Sequence, residues 1–341
     1  MKKKLLCCLC IILTAVLLLG LAQALLQPKY MTVSKEGALI AEYYNESNLS
    51  HDVLFIGDCE VYEGFTPPTL WEEYGITSYI RGSAQQLAWH SYYLLEEMLT
   101  YETPKVVVFN VLALKYGEPQ SEAYNRLNLD GMKLSASKLR AILASMTEEE
   151  SFASYLFPLL RFHSRWKELS AEDFRYWFHR DTVSHNGYLM QTEIRGGRSE
   201  ITPVPLTDPS LPKASMEYLE KMRALCEEKG VTFVLIKAPT NDWKYHWYDE
   251  WDAQIQDYAQ QHRLHYYNFI PLCEEIGIDW STDTYDVGAH LNVYGAEKLT
   301  SYFGAILATE LGLESRKSDA ELSAIWAEKL TAYLEERNPS E

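Results

Sequence analysis

The sequence predicts an α/β protein built on a parallel sheet of five strands. Two features of the 341 residues support this fold class. Short apolar, partly β-branched segments recur along the chain, and amphipathic segments of helical period separate them. The apolar segments end in Gly, Asn or other polar residues, as buried parallel strands do at the loops that follow them.

The first strand is the clearest of the five and leads directly into a cysteine. The strand is expected at residues 52–56, which are apolar after Asp52, and Gly57-Asp58-Cys59 follow it. Open α/β sheets carry their chemistry beyond the carboxyl ends of the strands, so Cys59 is a candidate nucleophile. The alternative at this point is a small, buried and inert cysteine.

The next elements complete a β-α-β-α-β unit. Pro67 and Pro68 open a helical turn that Gly75 closes, and a short helix precedes the first strand. The predicted elements are a helix at 37–45, strands at 77–80 and 105–109, and a helix at 86–100.

Residues 111–211 interrupt this alternation and predict a mainly helical insertion that covers one end of the sheet. Helical segments are expected at 134–145, 148–169 and 171–179. An aromatic and basic cluster in this region either binds an anionic or sugar substrate or forms an ordinary packed helix surface. Its members are Arg161, His163, Arg165, Trp166, Arg175 and Trp177.

The α/β alternation then resumes and ends in a long amphipathic helix at 318–337, which either packs on the domain or reaches a partner. A loop rich in Asp, Gly and Ser, at 280–292, precedes the last large helix of the sheet region. The other elements expected here are helices at 215–229, 249–262 and 296–311, and strands at 231–236 and 265–268.

The N-terminal residues 1–27 predict a membrane anchor. Three lysines precede residues 5–26, which carry no charge and are long enough to span a bilayer as a helix. Lysines before the span place residues 28–341 outside the cytoplasm, at a bacterial-type cell surface. Ala22-Gln23-Ala24 leaves open a cleaved signal peptide and a secreted product.

Charge and cysteine content exclude several classes of function. A net charge of −17, with no basic cluster beyond the first residues, argues against nucleic acid as a partner. Only Cys59, Cys226 and Cys273 follow the anchor, so a disulfide framework is not expected. No Cys/His spacing indicates a zinc site. The sequence does not identify a protein partner.

Four strand-end segments are expected to converge on one crevice. They are Cys59 after the first strand, Gly82 after the second, Asn110 after the third, and the segment 286–292 before the last large helix. Together they offer a nucleophile, candidate oxyanion donors and a histidine with a nearby carboxylate, which acyl transfer requires. Lys237 and Asn241, which follow the fourth strand, are expected to line the same pocket.

These segments resemble the SGNH/GDSL hydrolase superfamily. The resemblance lies in Phe55-Ile56-Gly57-Asp58-Cys59, Gly82-Ser83, Asn110, and Asp286 through Gly295. The order of the segments and the final His-Leu-Asn-x-x-Gly are similar to membrane-tethered members that act on cell-envelope polymers. The resemblance implies a three-layer, flavodoxin-like α/β fold and no metal or organic cofactor.

By this resemblance each site residue has an expected role. Cys59 is the nucleophile, His290 the base and Asp286 the residue that orients it, while Gly82 and Asn110 supply the oxyanion hole. The superfamily has serine where this chain has Cys59, and an Asp three residues before its histidine where this chain has four. Asp283 is therefore a second candidate orienter, although Gly288 can absorb one extra residue as a bulge. Asp58, beside Cys59, opposes ionisation of the thiol.

Two functions of different classes follow. The first is an extracytoplasmic esterase or O-acyltransferase that acts on an acylated cell-envelope polymer or carbohydrate through Cys59, His290 and Asp286. The second is a catalytically inactive binding or scaffold protein of an envelope-assembly complex, which the Ser-to-Cys change favours. A redox-responsive thiol at Cys59 is a third possibility.

Overall fold

A computed structural model describes residues 2–27, 37–178, 182–198 and 202–339. Its centre is a sheet of five parallel strands in the order β2-β1-β3-β4-β5. This order is the flavodoxin-like form of the doubly wound fold, in which ligands bind beyond the carboxyl ends of the strands where the strand order reverses. The predicted fold class is confirmed. The strands are β1 Val53–Gly57, β2 Ser78–Gly82, β3 Val106–Asn110, β4 Thr232–Lys237 and β5 His265–Asn268.

Helices cover both faces of the sheet because the strand side chains alternate between two apolar cores. Leu54 and Ile56 of β1 enter one core, and Val53 and Phe55 enter the other. Helices α5 Ala88–Met98, α11 Lys213–Lys229 and α13 Asp249–His262 line the first core. Helices α3 Cys59–Tyr62, α4 Pro67–Tyr74 and α15 Val293–Thr309 line the second.

The strands reach further than the sequence predicts at their carboxyl ends. Gly82, Asn110 and Lys237 are the last residues of β2, β3 and β4, not the first residues of the following loops. These three residues extend the strands because their backbones pair with the neighbouring strands, as Gly82 pairs with Gly57. Their side chains and backbones are therefore fixed by the sheet.

The insertion is less regular than predicted. The continuous helix expected at 148–169 is wrong, because Pro158 interrupts it and leaves three short pieces. The helix expected at 171–179 is α10 Ala171–Arg175, and residue 179 lies outside the described residues. The other helices are α2 Ala38–Glu42, α6 Glu122–Leu129, α7 Ala136–Ser145, α8 Phe152–Leu156, α9 Leu159–Phe162, α12 Trp243–His246 and α14 Cys273–Ile276.

The end of the insertion runs beside the outer edge of β2. Ile80 donates its backbone N–H to the carbonyl of Asn186 at 2.9 Å, and Leu189 donates to Tyr62 at 2.8 Å. Gly187 has φ +86°, and a Cβ there would meet the carbonyl oxygen of Ile80 at 1.8 Å. This segment covers the open edge of the sheet, which would otherwise be free to pair with another chain.

The two terminal helices differ in their contacts. Helix α1, Lys2–Leu26, is apolar and mostly exposed, and it is the one helix of the described ranges that is long and apolar enough to cross a membrane. Helix α16, Ala320–Arg337, packs on the domain: the indole of Trp326 stacks on Trp71 with ring centroids 5.4 Å apart.

Candidate active site

The turn after β1 presents Cys59 at the carboxyl edge of the sheet. Asp58 caps the short helix α3, and its side chain accepts a hydrogen bond from the N–H of Glu60 at 3.2 Å. A Cβ on Gly57 would lie 2.5 Å from Cγ2 of Val61, so only glycine permits this close packing. Cys59 is thereby held as the first residue of α3, half-buried.

Cys59, His290 and Asp286 form one continuous chain of contacts. The Cys59 Sγ lies 2.9 Å from Nε2 of His290, and His290 Nδ1 lies 2.6 Å from Oδ2 of Asp286. The backbone N–H of His290 also donates to Asp286 Oδ1 at 2.8 Å, so both carboxylate oxygens hold the same residue. The His290 side chain keeps 19% of its surface exposed, and Asp286 keeps 28%. The group therefore has the geometry of a nucleophile, a base and an orienting acid.

The extra residue between Asp286 and His290 is absorbed by a left-handed bend. Gly288 has φ +95°, as a bulge at this glycine predicts, and Val287 has φ +67°. A β-branched residue rarely adopts this conformation, so surrounding contacts must stabilise it. The carbonyl of Arg195 accepts from the N–H of Val287 at 3.0 Å, and Asn241 donates its N–H to the carbonyl of Gly288 at 2.8 Å.

Asn241 and Asp283 support this loop and do not contact His290 in the described structure. Besides its contact with Gly288, Asn241 donates from its side chain to the carbonyl of Gly197 at 3.1 Å. Asp283 pairs with Lys298 at 2.6 Å and accepts from the N–H of Asp279 at 2.8 Å. Asp286, not Asp283, is therefore the carboxylate next to His290.

Asn110 and Lys237 lie at the ends of β3 and β4, as the sequence predicts, but their side chains make other contacts than those expected. Asn110 donates one amide hydrogen to Asp58 at 3.1 Å and the other to Glu60 at 2.8 Å, so neither is available to an oxyanion. Lys237 is fully buried and does not line an open pocket; its Nζ lies 2.8 Å from both carboxylate oxygens of Glu60. Asn110 Oδ1 accepts from the N–H of Ala238 at 3.2 Å.

These contacts form one buried polar network beneath Cys59, made by Asp58, Glu60, Asn110 and Lys237. The network connects the carboxyl ends of β1, β3 and β4. Burial raises the pKa of the Glu60 carboxyl, but the Lys237 and His246 charges and the hydrogen bonds from Lys237 and Asn110 together outweigh it, and the pKa is lowered. Burial and the neighbouring Glu60 raise the pKa of Asp58 to about 6. Glu60 is thus held as a carboxylate whose charge Lys237 balances.

Gly82 ends β2 at the carboxyl edge of the sheet, paired with Gly57 of β1. A Cβ at Gly82 would meet the carbonyl oxygen of Gly57 at 2.9 Å and Cβ of Tyr62 at 3.2 Å, so the position requires glycine. Ser83 donates to Gly57, whereas Ile80 donates outward to Asn186. Since successive residues of a strand alternate in direction, the N–H of Gly82 points away from β1 and is not used in that pairing.

Glu63 and Tyr285 also lie at the site, although neither is predicted from the sequence. Glu63 is 5% exposed, and the hydroxyl of Tyr285 donates to its Oε2 at 2.8 Å. The Tyr285 ring also stacks against His290, with centroids 6.2 Å apart and planes 23° apart. Burial raises the pKa of Glu63 to about 7, while the His290 charge and the Tyr285 hydroxyl oppose that rise. The spacing of four residues from Cys59 on one helical turn could have indicated Glu63.

Burial and charge act in opposite directions on the two reacting groups. Burial raises the pKa of the Cys59 thiol to about 11, although the neighbouring His290 lowers it. Burial by itself lowers the pKa of His290, but Cys59 and the hydrogen bond to Asp286 raise it well above its ordinary value of 6.5. The pair therefore has to lose a proton above neutral pH before a thiolate or a free imidazole is available.

No group of three or more His, Cys, Asp or Glu side chains in the described ranges could hold a metal ion. Cys226 and Cys273 are free thiols, and Cys226 is buried in the core.

No protein-family model matches the chain, and no curated protein matches it in sequence. Nineteen solved chains match it in structure. One is a candidate acylhydrolase from Bacteroides fragilis, with 12% identity, 80% of this chain and 95% of that chain covered, and a TM-score of 0.38. Another is a GDSL-like lipase from Bacteroides thetaiotaomicron, with 13% identity, coverage of 76% and 88%, and a TM-score of 0.35.

Breaking the buried pair should destabilise the protein strongly. We expect Lys237→Met to lower the free energy of unfolding by about 3–5 kcal/mol, because Glu60 is left charged and buried. The double variant Glu60→Gln/Lys237→Met should recover much of this loss. Thermal unfolding of the full chain in detergent measures both. The matched control is Lys105→Met, whose half-exposed pair with Asp52 should contribute about 1 kcal/mol or less; equal effects of the two lysine variants would contradict this assignment.

The raised pKa of Glu63 predicts a pH-dependent stability. Its pKa in the folded protein is about 7, above the ordinary 4.5, so its stabilising effect is complete below pH 4.5 and is lost as the pH rises through 7. The free energy of unfolding should thus fall, relative to Glu63→Gln, by on the order of 3 kcal/mol over this range. Denaturation curves at several pH values measure the difference. Glu72→Gln, at an exposed acid of α4, should show the same pH dependence of the free energy of unfolding as the unmodified protein. The same pH dependence in Glu63→Gln as in the unmodified protein would refute the assignment.

Proposed function

We propose that this protein is an acyl-ester hydrolase or O-acyltransferase whose nucleophile is Cys59. The observation that carries the proposal is the unbroken set of contacts from Cys59 Sγ to His290 Nε2, and from His290 Nδ1 to Asp286. A nucleophile, a base and an orienting acid in this order are what acyl transfer requires. The resemblance to the SGNH/GDSL superfamily supports the same reaction class.

In the first half-reaction the thiol of Cys59 transfers its proton to His290 Nε2, and the sulfur attacks the acyl carbon of the ester. The C–O bond then breaks, the acyl group remains on sulfur as a thioester, and the departing alcohol takes the proton from Nε2. In the second half-reaction His290 accepts a proton from water or from a sugar hydroxyl, whose oxygen attacks the thioester. The thiolate leaves and is reprotonated. Asp286 holds the imidazole in the required tautomer throughout.

The oxyanion that forms in each half-reaction needs donors other than Asn110, whose amide hydrogens bind two carboxylates. We assign this role to the backbone N–H groups of Cys59 and Gly82. Cys59 is the first residue of α3, so no carbonyl of that helix can accept from its N–H. The N–H of Gly82 is not used in the pairing with β1 and is the second proposed donor.

The proposed substrate is an acylated polymer or carbohydrate of the cell envelope. Helix α1 supports this assignment as a membrane anchor, with Lys2, Lys3 and Lys4 at its cytoplasmic end and the sheet domain on the outer side. A domain in that position meets envelope glycans and not cytoplasmic metabolites. The water or sugar hydroxyl that accepts the acyl group decides between hydrolysis and transfer.

A second candidate function is a catalytically inactive binding protein of an envelope-assembly complex. The observation that favours it is the Cys59 thiol, whose pKa burial raises to about 11, which leaves little thiolate at neutral pH. An inactive protein would keep the fold and the crevice but would not turn over an ester.

The test is ester turnover by the full chain in detergent, with p-nitrophenyl acetate and an O-acetylated glycan as substrates. Cys59→Ala should reduce kcat/KM at least about 10³-fold, because the attacking atom is lost. Cys59→Ser should retain measurable turnover, because His290 and Asp286 can also activate a hydroxyl. Cys273→Ala, at another half-buried thiol, is the matched control and should leave turnover unchanged. Unchanged turnover in Cys59→Ala would exclude Cys59 as the nucleophile, and no turnover by the unmodified chain would favour the binding protein.

A further inference from the structure

Residues 157–178 of the insertion, here called the aromatic collar, expose an unusual amount of apolar surface. Thirteen large hydrophobic side chains outside α1 are exposed in the described residues, and six of them fall within these 22 residues. The six are Phe157 (57% exposed), Leu160 (58%), Trp166 (64%), Phe174 (48%), Trp177 (40%) and Phe178 (89%). Soluble surfaces rarely concentrate apolar groups in this way without a partner.

The aromatic collar lies against the end of α1 that points toward the domain. Arg165 Nη1 donates to the carbonyl of Leu26 at 3.2 Å, with the carbonyls of Leu25 and Gln27 at 3.4 and 3.5 Å. Arg165 Nη2 is held by Asp173 at 2.6 Å, and Asp173 is 1% exposed. The collar is therefore fixed to α1 by a buried acid and an arginine.

Arg165 supplies hydrogen-bond donors to the backbone carbonyls at the C-terminal end of α1. The last carbonyls of a helix have no partner within the helix, and they are costly to leave unpaired near hydrocarbon. An arginine at the C-terminal end supplies donors and also interacts favourably with the helix dipole. Where α1 leaves the hydrocarbon, the collar thus lies beside the helix.

Tryptophan and other aromatic residues concentrate at the boundary between hydrocarbon and water, where their apolar rings and polar edges are both accommodated. Trp166 and Trp177 would occupy that boundary if α1 spans the bilayer. The charge of the segment permits this location: it carries four basic and three acidic residues, whereas the whole chain has a net charge of −17. Anionic headgroups would therefore not repel this segment, although the chain as a whole is acidic.

We propose that residues 157–178 lie in the outer interface of the bilayer, and that their partner is the lipid itself. The proposal rests on the membrane span included in the proposed function. With α1 and the collar both in contact with lipid, the domain has two attachments and a fixed orientation above the membrane. The catalytic crevice is then held at a constant height relative to the surface.

The test uses lipids with brominated acyl chains, which quench the fluorescence of nearby tryptophan. The full chain is reconstituted into vesicles of phosphatidylcholine, with or without bromine on the chains close to the headgroup. Helix α1 contains no tryptophan, so quenching reports only on the residues that follow it. Since Trp166 and Trp177 are two of nine tryptophans, we expect brominated lipid to reduce emission by up to about a fifth. The variant Trp166→Phe/Trp177→Phe should abolish this reduction.

The matched control is Trp280→Phe, at a half-buried tryptophan outside the collar, which should leave the quenched fraction unchanged. Resistance to alkaline carbonate extraction verifies in the same samples that α1 is inserted. If the protein is inserted but brominated lipid does not reduce its tryptophan emission, the proposal is overturned. The collar would then be covered by water or by another protein. Protein that extraction removes would overturn it together with the anchor. Ester turnover in detergent is measured separately, so neither result depends on whether Cys59 is catalytic.

Discussion

The buried ion pair between Glu60 and Lys237 is the constraint on which the candidate site depends. Lys237 is the last residue of β4, and Glu60 lies in α3, directly after β1, so the pair crosses the middle of the sheet. Asn110 at the end of β3 binds Glu60 and Asp58 from between them. Paired buried charges of this kind contribute little net stability, but separating the partners leaves a buried charge unpaired and is strongly destabilising. The network thereby fixes where α3 begins, and with it the position of Cys59.

The loop that carries His290 depends on a different set of contacts. Val287 and Gly288 adopt left-handed backbone conformations, which are stabilised by the carbonyl of Arg195 and the N–H of Asn241. Both supporting groups come from segments far away in the chain, one of them the insertion. The insertion is therefore more than a cover for the edge of β2, because it holds the base at the correct distance from the nucleophile.

Much of the fold followed from the sequence because apolar strand periodicity and helix-ending glycines are local signals. The helix at 249–262 and the strand at 265–268 were predicted to the residue. The roles of Asn110 and Lys237 could not be predicted, because a strand-end position does not reveal which neighbouring groups compete for a side chain. The contact of Glu60 with Lys237 spans 177 residues. The same limit applies to Glu63, whose burial results from Tyr285 and the loop around it.

The most direct test of the account is the rate at which Cys59 is alkylated in the full chain by iodoacetamide, followed by mass spectrometry as a function of pH. Burial raises the thiol pKa of both Cys59 and Cys273 to about 11, but only the pKa of Cys59 is lowered by a histidine, so Cys273 is an internal reference. A working Cys59–His290 pair predicts that the alkylation rate of Cys59 rises above neutral pH. It also predicts that His290→Ala lowers the alkylation rate of Cys59 about tenfold or more and leaves that of Cys273 unchanged. Equal rates for Cys59 in the unmodified chain and in His290→Ala, at every pH, would contradict a working Cys59–His290 pair.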